Sequence, residues 1–505
     1  MSLLTDASLL VTSNAYKEGK LYSIIPSNGN GDFTFTRATT ATRVNSAGSV
    51  EVVPYNLAQY SEMFSDASWL KPNAILTPNT TIAPNGTLTA DTLTGNGLTA
   101  NSRIIQNITT LNATTYTHSI YAKKDTNDFV QLYGSNAVFG LDVWANFDLN
   151  NGVLGTVGAL TTATITNVGN GWYRCTITGA SIAASNSSTY IVHIIPSATT
   201  ARAQSLAIST SVFIWGAQFV QNNSVLNYQM TEGRLNVPRI DYSLGSCPNI
   251  LLEPQRSNIL LQTNILATQT RIVTATTHTL SFYGTGTVTL SGVATGTLVG
   301  TGVNNRVTLT FTSTAGSLTL TVSGSVTLGQ LEIGSYATSY IPTTTVSVTR
   351  NADITTRNNV YTNGLITASG GTWFIDLRNN LSLSITNGVI TGGIFLNTGT
   401  VSNQNDGFLL RTGITATRMN INKVVAGTIT VLYQLLTDNS KIAIKWNGAT
   451  ADVFVDGVKV VAATSFTTTA MENLITDGTN RSIQYNDMAL FPTPLSDTQC
   501  IALTT

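Results

Sequence analysis

His118, His193 and His278 are the only imidazoles in the chain, so acid–base or metal chemistry has few side chains to draw on. His193 lies in the apolar run YIVHIIP, while His118 and His278 fall in two near-identical stretches at non-equivalent positions. No Ser/His/Asp set, G-x-S-x-G elbow or H-E-x-x-H motif accompanies them, which points to structural or solvent-facing histidines. Glycan hydrolysis needs two carboxylates held several Å apart across the scissile bond. Asp125, Asp128, Asp142 and Asp148 share one region, but strand alternation scatters them over both faces. The expectation is turn and surface acids, no catalytic residue and no enzyme.

Binding without turnover needs less. Sugars stack their apolar faces on aromatic rings while Asn, Gln and Asp bond the hydroxyls. Of six tryptophans, Trp172 in GNGWYRC, Trp215 in FIWGAQ and Trp446, in phase with Ile444, belong to apolar strands and read as core. Trp69 and Trp144 have more polar neighbours and are the candidates for an exposed platform; Tyr133 and Asn136 in QLYGSNAVFG join Trp144 if that segment folds as adjacent strands. Oxygen ligands for a structural calcium lack loop-site spacing, so the metal is left unknown, and no cofactor is implied. Cys175, Cys247 and Cys500 lie far apart without a C-x-x-C and read as unpaired, buried thiols.

These residues must be positioned by strands. Short alternating runs such as DFTFTRAT, RVTLTFTST and SLTLTVSGSVTLG, separated by Gly, Asn and Ser, predict a mostly β chain. Its 505 residues exceed one core. Twenty-five basic and twenty-five acidic residues balance, with no Lys/Arg run to track a phosphate backbone, which argues against nucleic acid as a partner. No stretch of 18 apolar residues exists, so no membrane insertion is expected, and the first twenty residues lack the pattern of a signal peptide. Synthesis in a cytoplasm follows as an expectation.

The chain also repeats itself. TTYTHSIYA (114–122) returns as TTHTLSFYG (276–284), NLAQYS (56–61) as NILLQT (258–263), and QFVQNNSVLNYQMT (218–231) as QLEIGSYATSYIPT (330–343). The offset falls from 202 to 162 to 112 residues, so the second copy is the first with loops or edge strands removed. The expected organisation is an anchoring segment over 1–55, a full sandwich over 56–231, an ordered connector over 232–257, a shortened sandwich over 258–354 and a separate antiparallel sandwich over 355–505. The last rests on KIAIKWNGATADVFVDGVKVV, which turns at Asn447-Gly448 and Asp456-Gly457. Residues 1–54 hold their apolar side chains in bursts too small for a core, and are expected to bury them against sister chains and a particle.

GDFTFTRATTATRVNSAGSVEVVPYN, GNGWYRCTITG, IWGAQF and PRIDYSLGSCPNILLEPQRSNILLQ together resemble bacteriophage head-fibre and tail-fibre proteins with carbohydrate-binding-module-like jelly rolls. The stretch from KIAIKWNG to the end is similar to the concanavalin A-like, laminin-G-type domain that often closes such proteins. The most specific blocks are Arg37 to Gly48 and Glu253 to Asn258. The resemblance implies tandem jelly-roll β-sandwiches followed by a concanavalin A-like β-sandwich, in a structural protein on the virion surface. Its implied partners are other capsid or tail proteins, two sister chains in a homotrimer, and cell-surface glycans. A secreted bacterial carbohydrate-binding protein and a tailspike depolymerase are the competing readings. One departure stands out: the shortened copy offers no counterpart of GNGWYRC, which weakens the expectation that it binds a ligand.

Overall fold

The computed structural model describes the chain except residues 1–2, 14–15, 18, 54–55, 185–188, 227, 232–235, 368–369, 383–392, 400–404, 413–418, 438, 468–469 and 480. It is mostly β, with antiparallel sheets packed as sandwiches. Two compact units form: Pro54–Arg234, and Met1–Val53 together with Leu235–Thr505.

The 54–234 unit packs two six-stranded sheets. One runs, in spatial order, Val153–Val157, Trp144–Asp148, Phe129–Tyr133, Tyr190–Ile194, Arg103–Gln106 and Trp69–Leu70. The other runs Thr162–Gly169, Trp172–Ala180, Thr115–Lys124, Ser211–Val220, Ala90–Gly95 and Ala74–Thr81. Alternation turns Val130, Leu132, Phe147 and Val192 of the first sheet toward Ile120, Ile177, Val212 and Ile214 of the second. Each such side chain contributes about 1.5–3 kcal/mol by leaving water.

The sandwich over 258–343 keeps only central strands. Gln269–Val273, Gly316–Ser323, Thr287–Gly292 and Gly296–Val299 form one sheet; Gly302–Thr312, Thr277–Gly284 and Val326–Ile333 form the other. Thr115–Lys124 and Thr277–Gly284, the strands of the sequence echo, each lie between two antiparallel neighbours. The pairing with Ser211–Val220 shifts register between Ser119 and Tyr121, and the pairing with Val326–Ile333 shifts at the matching place, between Ser281 and Tyr283.

Hydrogen bonds repeat as well. Asn56 Nδ2 donates to the carbonyls of Ala217 and Gln229, and its Oδ1 accepts from the amides of Ala58 and Phe219. Asn258 makes the corresponding four bonds to Gly329, Ile341, Leu260 and Leu331. Ser61 bonds the Tyr228 hydroxyl at 2.8 Å, as Thr263 bonds that of Tyr340 at 2.8 Å. Thr117 pairs with Thr178, as Thr279 does with Thr310.

In the same unit as the shortened sandwich, a larger one is centred on the paired strands Gly371–Ser382 and Arg481–Phe491. The hairpins expected at 447–448 and 456–457 join Ser440–Trp446, Thr450–Val455 and Val458–Ser465, and bury Ile442, Ile444 and Trp446. The N-terminal segment departs from expectation. Leu9–Thr12 pairs with Arg481–Phe491, while Phe33–Thr36 pairs with Ile354–Asn358 in the opposite sheet. Leu9, Val11, Leu21 and Phe33 therefore enter the core of this sandwich. The apolar bursts are too small for a core alone, as read from the sequence, but they complete one within the same chain. The connector strands Arg239–Asp241 and Asn249–Leu252 extend the sheet through Arg481–Phe491.

Candidate functional site

Trp144 and Tyr133 do meet: they face each other across the antiparallel pair Phe129–Tyr133 and Trp144–Asp148. Tyr133, Gln131 and Asn146 lie on the side of the sheet away from the core, yet that side is not open. Segment 198–203 lies over it. Asn146 Nδ2 donates to the carbonyls of Ala198 and Thr200 at 3.0 and 2.8 Å, and Gln131 Oε1 accepts from the Ala203 amide at 2.7 Å. The Arg202 guanidinium lies 5.0 Å over the Tyr133 ring, whose hydroxyl accepts from Arg103 at 2.8 Å. Tyr133 is left 2% exposed and Trp144 half-buried. Asn136 is exposed at the start of the short helix Asn136–Phe139. Trp69 is not a platform: it is 1% exposed, donates Nε1 to the carbonyls of Gln59 and Tyr60, and packs edge-on to Phe64 and Tyr190. Its polar sequence neighbours lie in turns, which is why the sequence made it look exposed.

The other candidates for chemistry are structural. His118 packs among Phe139, Tyr190 and Phe219, and burial pulls it down to about 3; burial and then Arg103 pull His193 down to about 4. Both are neutral near pH 7 and enclosed. Burial pushes Asp148 up, but bonds from Asn151 and Asn150 outweigh it and hold the carboxyl below its ordinary range, a turn-capping role. Cys175 and Cys500 are buried, whereas Cys247 is exposed in the loop between the connector strands. Among the described residues no group of His, Cys, Asp or Glu is placed to hold a metal ion.

A cleft of about 700 Å³ lies instead in the unit of Met1–Val53 with Leu235–Thr505. Four pieces of chain build it: the hairpin of Thr42–Val44 and Val50–Val52, the connector residues Asp241 to Gly245, the shortened sandwich and the strand Arg481–Phe491. The sandwich contributes Tyr283, Asn304, Asn305, Arg306, Ser339 and Tyr340, and the long strand contributes Gln484. Asp241, also in the lining, accepts from the Val44 amide, from Ser243 and from Gln484.

Glu253 and Ser339 connect this cleft to a buried ion network. Arg239 bonds Glu253 at 2.6 Å and also pairs with Asp353, Arg37 bonds Asp353 at 2.8 Å, and Arg350 bonds Glu253 at 2.9 Å. All five side chains are at most 5% exposed. Buried charges persist only when paired and hydrogen-bonded, and Glu253 also accepts from the amide and hydroxyl of Ser339. Burial pulls Arg37 down to about 10 against the opposing pull of Asp353. Burial pushes Glu253 up, but Arg350 and Arg239 outweigh it and hold the carboxyl far below its ordinary range. Arg37 and Glu253 open the two most specific sequence blocks, so these blocks meet through Arg239 and Asp353.

Sequence reasoning missed the cleft because it searched for aromatics. Strand pairing places Arg306 opposite Tyr283 as Arg174 lies opposite Tyr121, and the two arginines bond Ser281 and Ser119 alike. GNGWYRC therefore has a counterpart in sequence, TGVNNRV at 301–307, which coincides in strand pairing from Arg306 onward, while the ladder shifts register before it and leaves Asn304 and Asn305 without the places of Trp172 and Tyr173. The signal available was RVTLT against RCTIT. No protein-family model matches the chain, and no curated protein sequence does.

Proposed function

We infer that this chain is a non-catalytic structural protein of a bacteriophage particle, a head or tail fibre that displays β-sandwiches to surface glycans. The observation that carries the reading is the ion network: the blocks that most resemble fibre proteins supply Arg37 and Glu253 to it. The first residue of each block thus helps to fasten an N-terminal segment, a connector and two sandwiches into one unit. Neutral, enclosed histidines and a turn-capping Asp148 support the absence of turnover. Assembly into a trimer on other virion proteins, possession of a concanavalin A-like C-terminal domain, and a place on the virion surface belong to the same proposal. Gold-labelled antibody against the chain, applied to purified particles, tests it. Label at regular positions on heads or tails is expected; label found only in the secreted fraction of a bacterial culture would transfer the chain to the competing carbohydrate-binding reading.

A further inference from the structure

The shortened sandwich is open where the full one is filled. In the full copy Trp172, Trp215, Ala83 and Ala90 pack as a small aromatic core with Tyr121, Phe213 and Tyr228 against it. Trp172 Nε1 donates to the carbonyl of Ile82, so the turn between Ala74–Thr81 and Ala90–Gly95 closes this core. The shortened copy has no counterpart of those two strands. Its equivalents of Tyr121 and Tyr228 are Tyr283 and Tyr340; Asn304 aligns with Trp172 in sequence, but the ladder shifts register beyond Arg306, with Gly302 opposite Gly284, so no residue stands where the indole does. Tyr283, Tyr340 and Asn304 all line the cleft. Without that hairpin and that indole the region is the wall of a recess that carries amides and hydroxyls, with the two tyrosines themselves buried at 8% and 5% exposure.

The charges there select among ligands. Arg43 is paired with Glu51 at 2.9 Å, and the network beneath sets three guanidiniums against two carboxylates. Asp241 is held by Val44, Ser243 and Gln484. Arg306 bonds only the Thr338 carbonyl and the Ser281 hydroxyl, with no carboxylate within 4.0 Å among the described residues. Arg306 and Asp241 are thus the two lining charges without an ionic partner among the described residues; Asp241 is already met by neutral donors, and a guanidinium prefers a planar carboxylate.

We propose that this cleft binds a saccharide bearing a carboxylate, a sugar acid that lies along the polar wall of Asn304 and Asn305 beside Tyr283 and Tyr340 and whose carboxylate meets Arg306. Asn304, Asn305, Gln484 and Asp241 supply amide and carboxylate partners for hydroxyls. The inference rests on the reading of the chain as a glycan-contacting protein and names the class of glycan and the place.

Calorimetric titration of the full chain with tetrasaccharides containing glucuronate, galacturonate or a sialic acid, each beside its carboxyl-reduced form, tests it. At least one acidic form is expected to bind, at least tenfold more tightly than its reduced counterpart. Asn304→Trp, which puts an indole on the cleft wall at an exposed position, should weaken that binding at least tenfold without lowering the unfolding temperature. Asn305→Asp, at an exposed position, should weaken the acidic form tenfold and leave the reduced form unchanged; it decides the matter if Asn304→Trp fails to fold. No binding of any acidic form, equal binding of both forms, or binding indifferent to both variants overturns the proposal. Label on particles together with a cleft that binds nothing sinks the cleft alone, whereas a cleft that binds acidic sugars in a chain absent from particles sinks the fibre reading alone.

Discussion

The sandwich over 56–231 and that over 258–343 agree in their central strands and differ at every edge. The shorter one lacks counterparts of Trp69–Leu70 and Val153–Val157 at the two edges of one sheet, and of Thr162–Gly169, Ala90–Gly95 and Ala74–Thr81 in the other. What survives is the echo strand, its two neighbours, the opposing four strands and the Asn56 or Asn258 staple. An edge strand has one hydrogen-bonded neighbour and covers little of the core, so its loss leaves the remaining ladders intact. Surface is what changes. The sheet side that segment 198–203 covers in the full copy shows exposed Thr270, Thr289, Thr297 and Thr321 in the short one, because Gly316–Ser323 passes to Val326–Ile333 through two residues. The aromatic core around Trp172 becomes the cleft by the same economy.

The largest expected difference between the copies concerns how each is held. The short one shares its unit with the ion network, so Arg239→Met should leave Glu253 to Arg350 and Asp353 to Arg37 alone and cost about 3–5 kcal/mol through the loss of two buried charge-assisted bonds. In scanning calorimetry the transition of the unit containing 235–505 should fall while that of 54–234 stays in place. Acid should act on the same unit: the Glu253 carboxyl lies far below its ordinary 4.5 when folded, so its contribution is complete above about pH 4.5 and is lost as pH falls through the folded value. A common shift of both transitions would break the contrast.

The staples should be equal. Asn56→Ala and Asn258→Ala each leave buried backbone groups unpaired, and each should cost about 3 kcal/mol, read as loss of denaturant midpoint in its own unit. A large effect in one and none in the other would undo the equivalence of the two copies.

Much of this was legible from the sequence. The three echoes and their shrinking offset gave the doubled sandwich because paired central strands keep their residue types. Trp172, Trp215 and Trp446 were readable as core from the apolar strands around them. The partnership of Tyr133 with Trp144 followed from adjacent strands, but its closure did not, since segment 198–203 reaches it through main-chain carbonyls that any sequence supplies. The cleft was illegible for a related reason. It is made by missing residues, a hairpin and an indole, and by four segments distant in sequence.

The smallest effect sharpens the comparison at one residue. At the register shift the full copy has Gly216 at φ 61° and the short copy has Leu328 at φ 50°, a left-handed conformation that costs a branched side chain roughly 1 kcal/mol. Leu328→Gly should therefore raise the unfolding free energy of its unit by about 0.5 kcal/mol, net of the added chain entropy. Gly216→Ala should lower that of the other unit, since its Cβ would lie 2.9 Å from the Tyr121 ring.

A crystal structure of the chain soaked with the acidic tetrasaccharide that binds in solution bears most directly on the contrast between a filled and an opened sandwich. The account predicts density for the sugar acid in the cleft, its carboxylate within hydrogen-bond reach of Arg306 and its ring beside Tyr283 or Tyr340, and none over Tyr133 and Trp144. Sugar density on the Tyr133 and Trp144 sheet, with segment 198–203 displaced and the cleft empty, would contradict it.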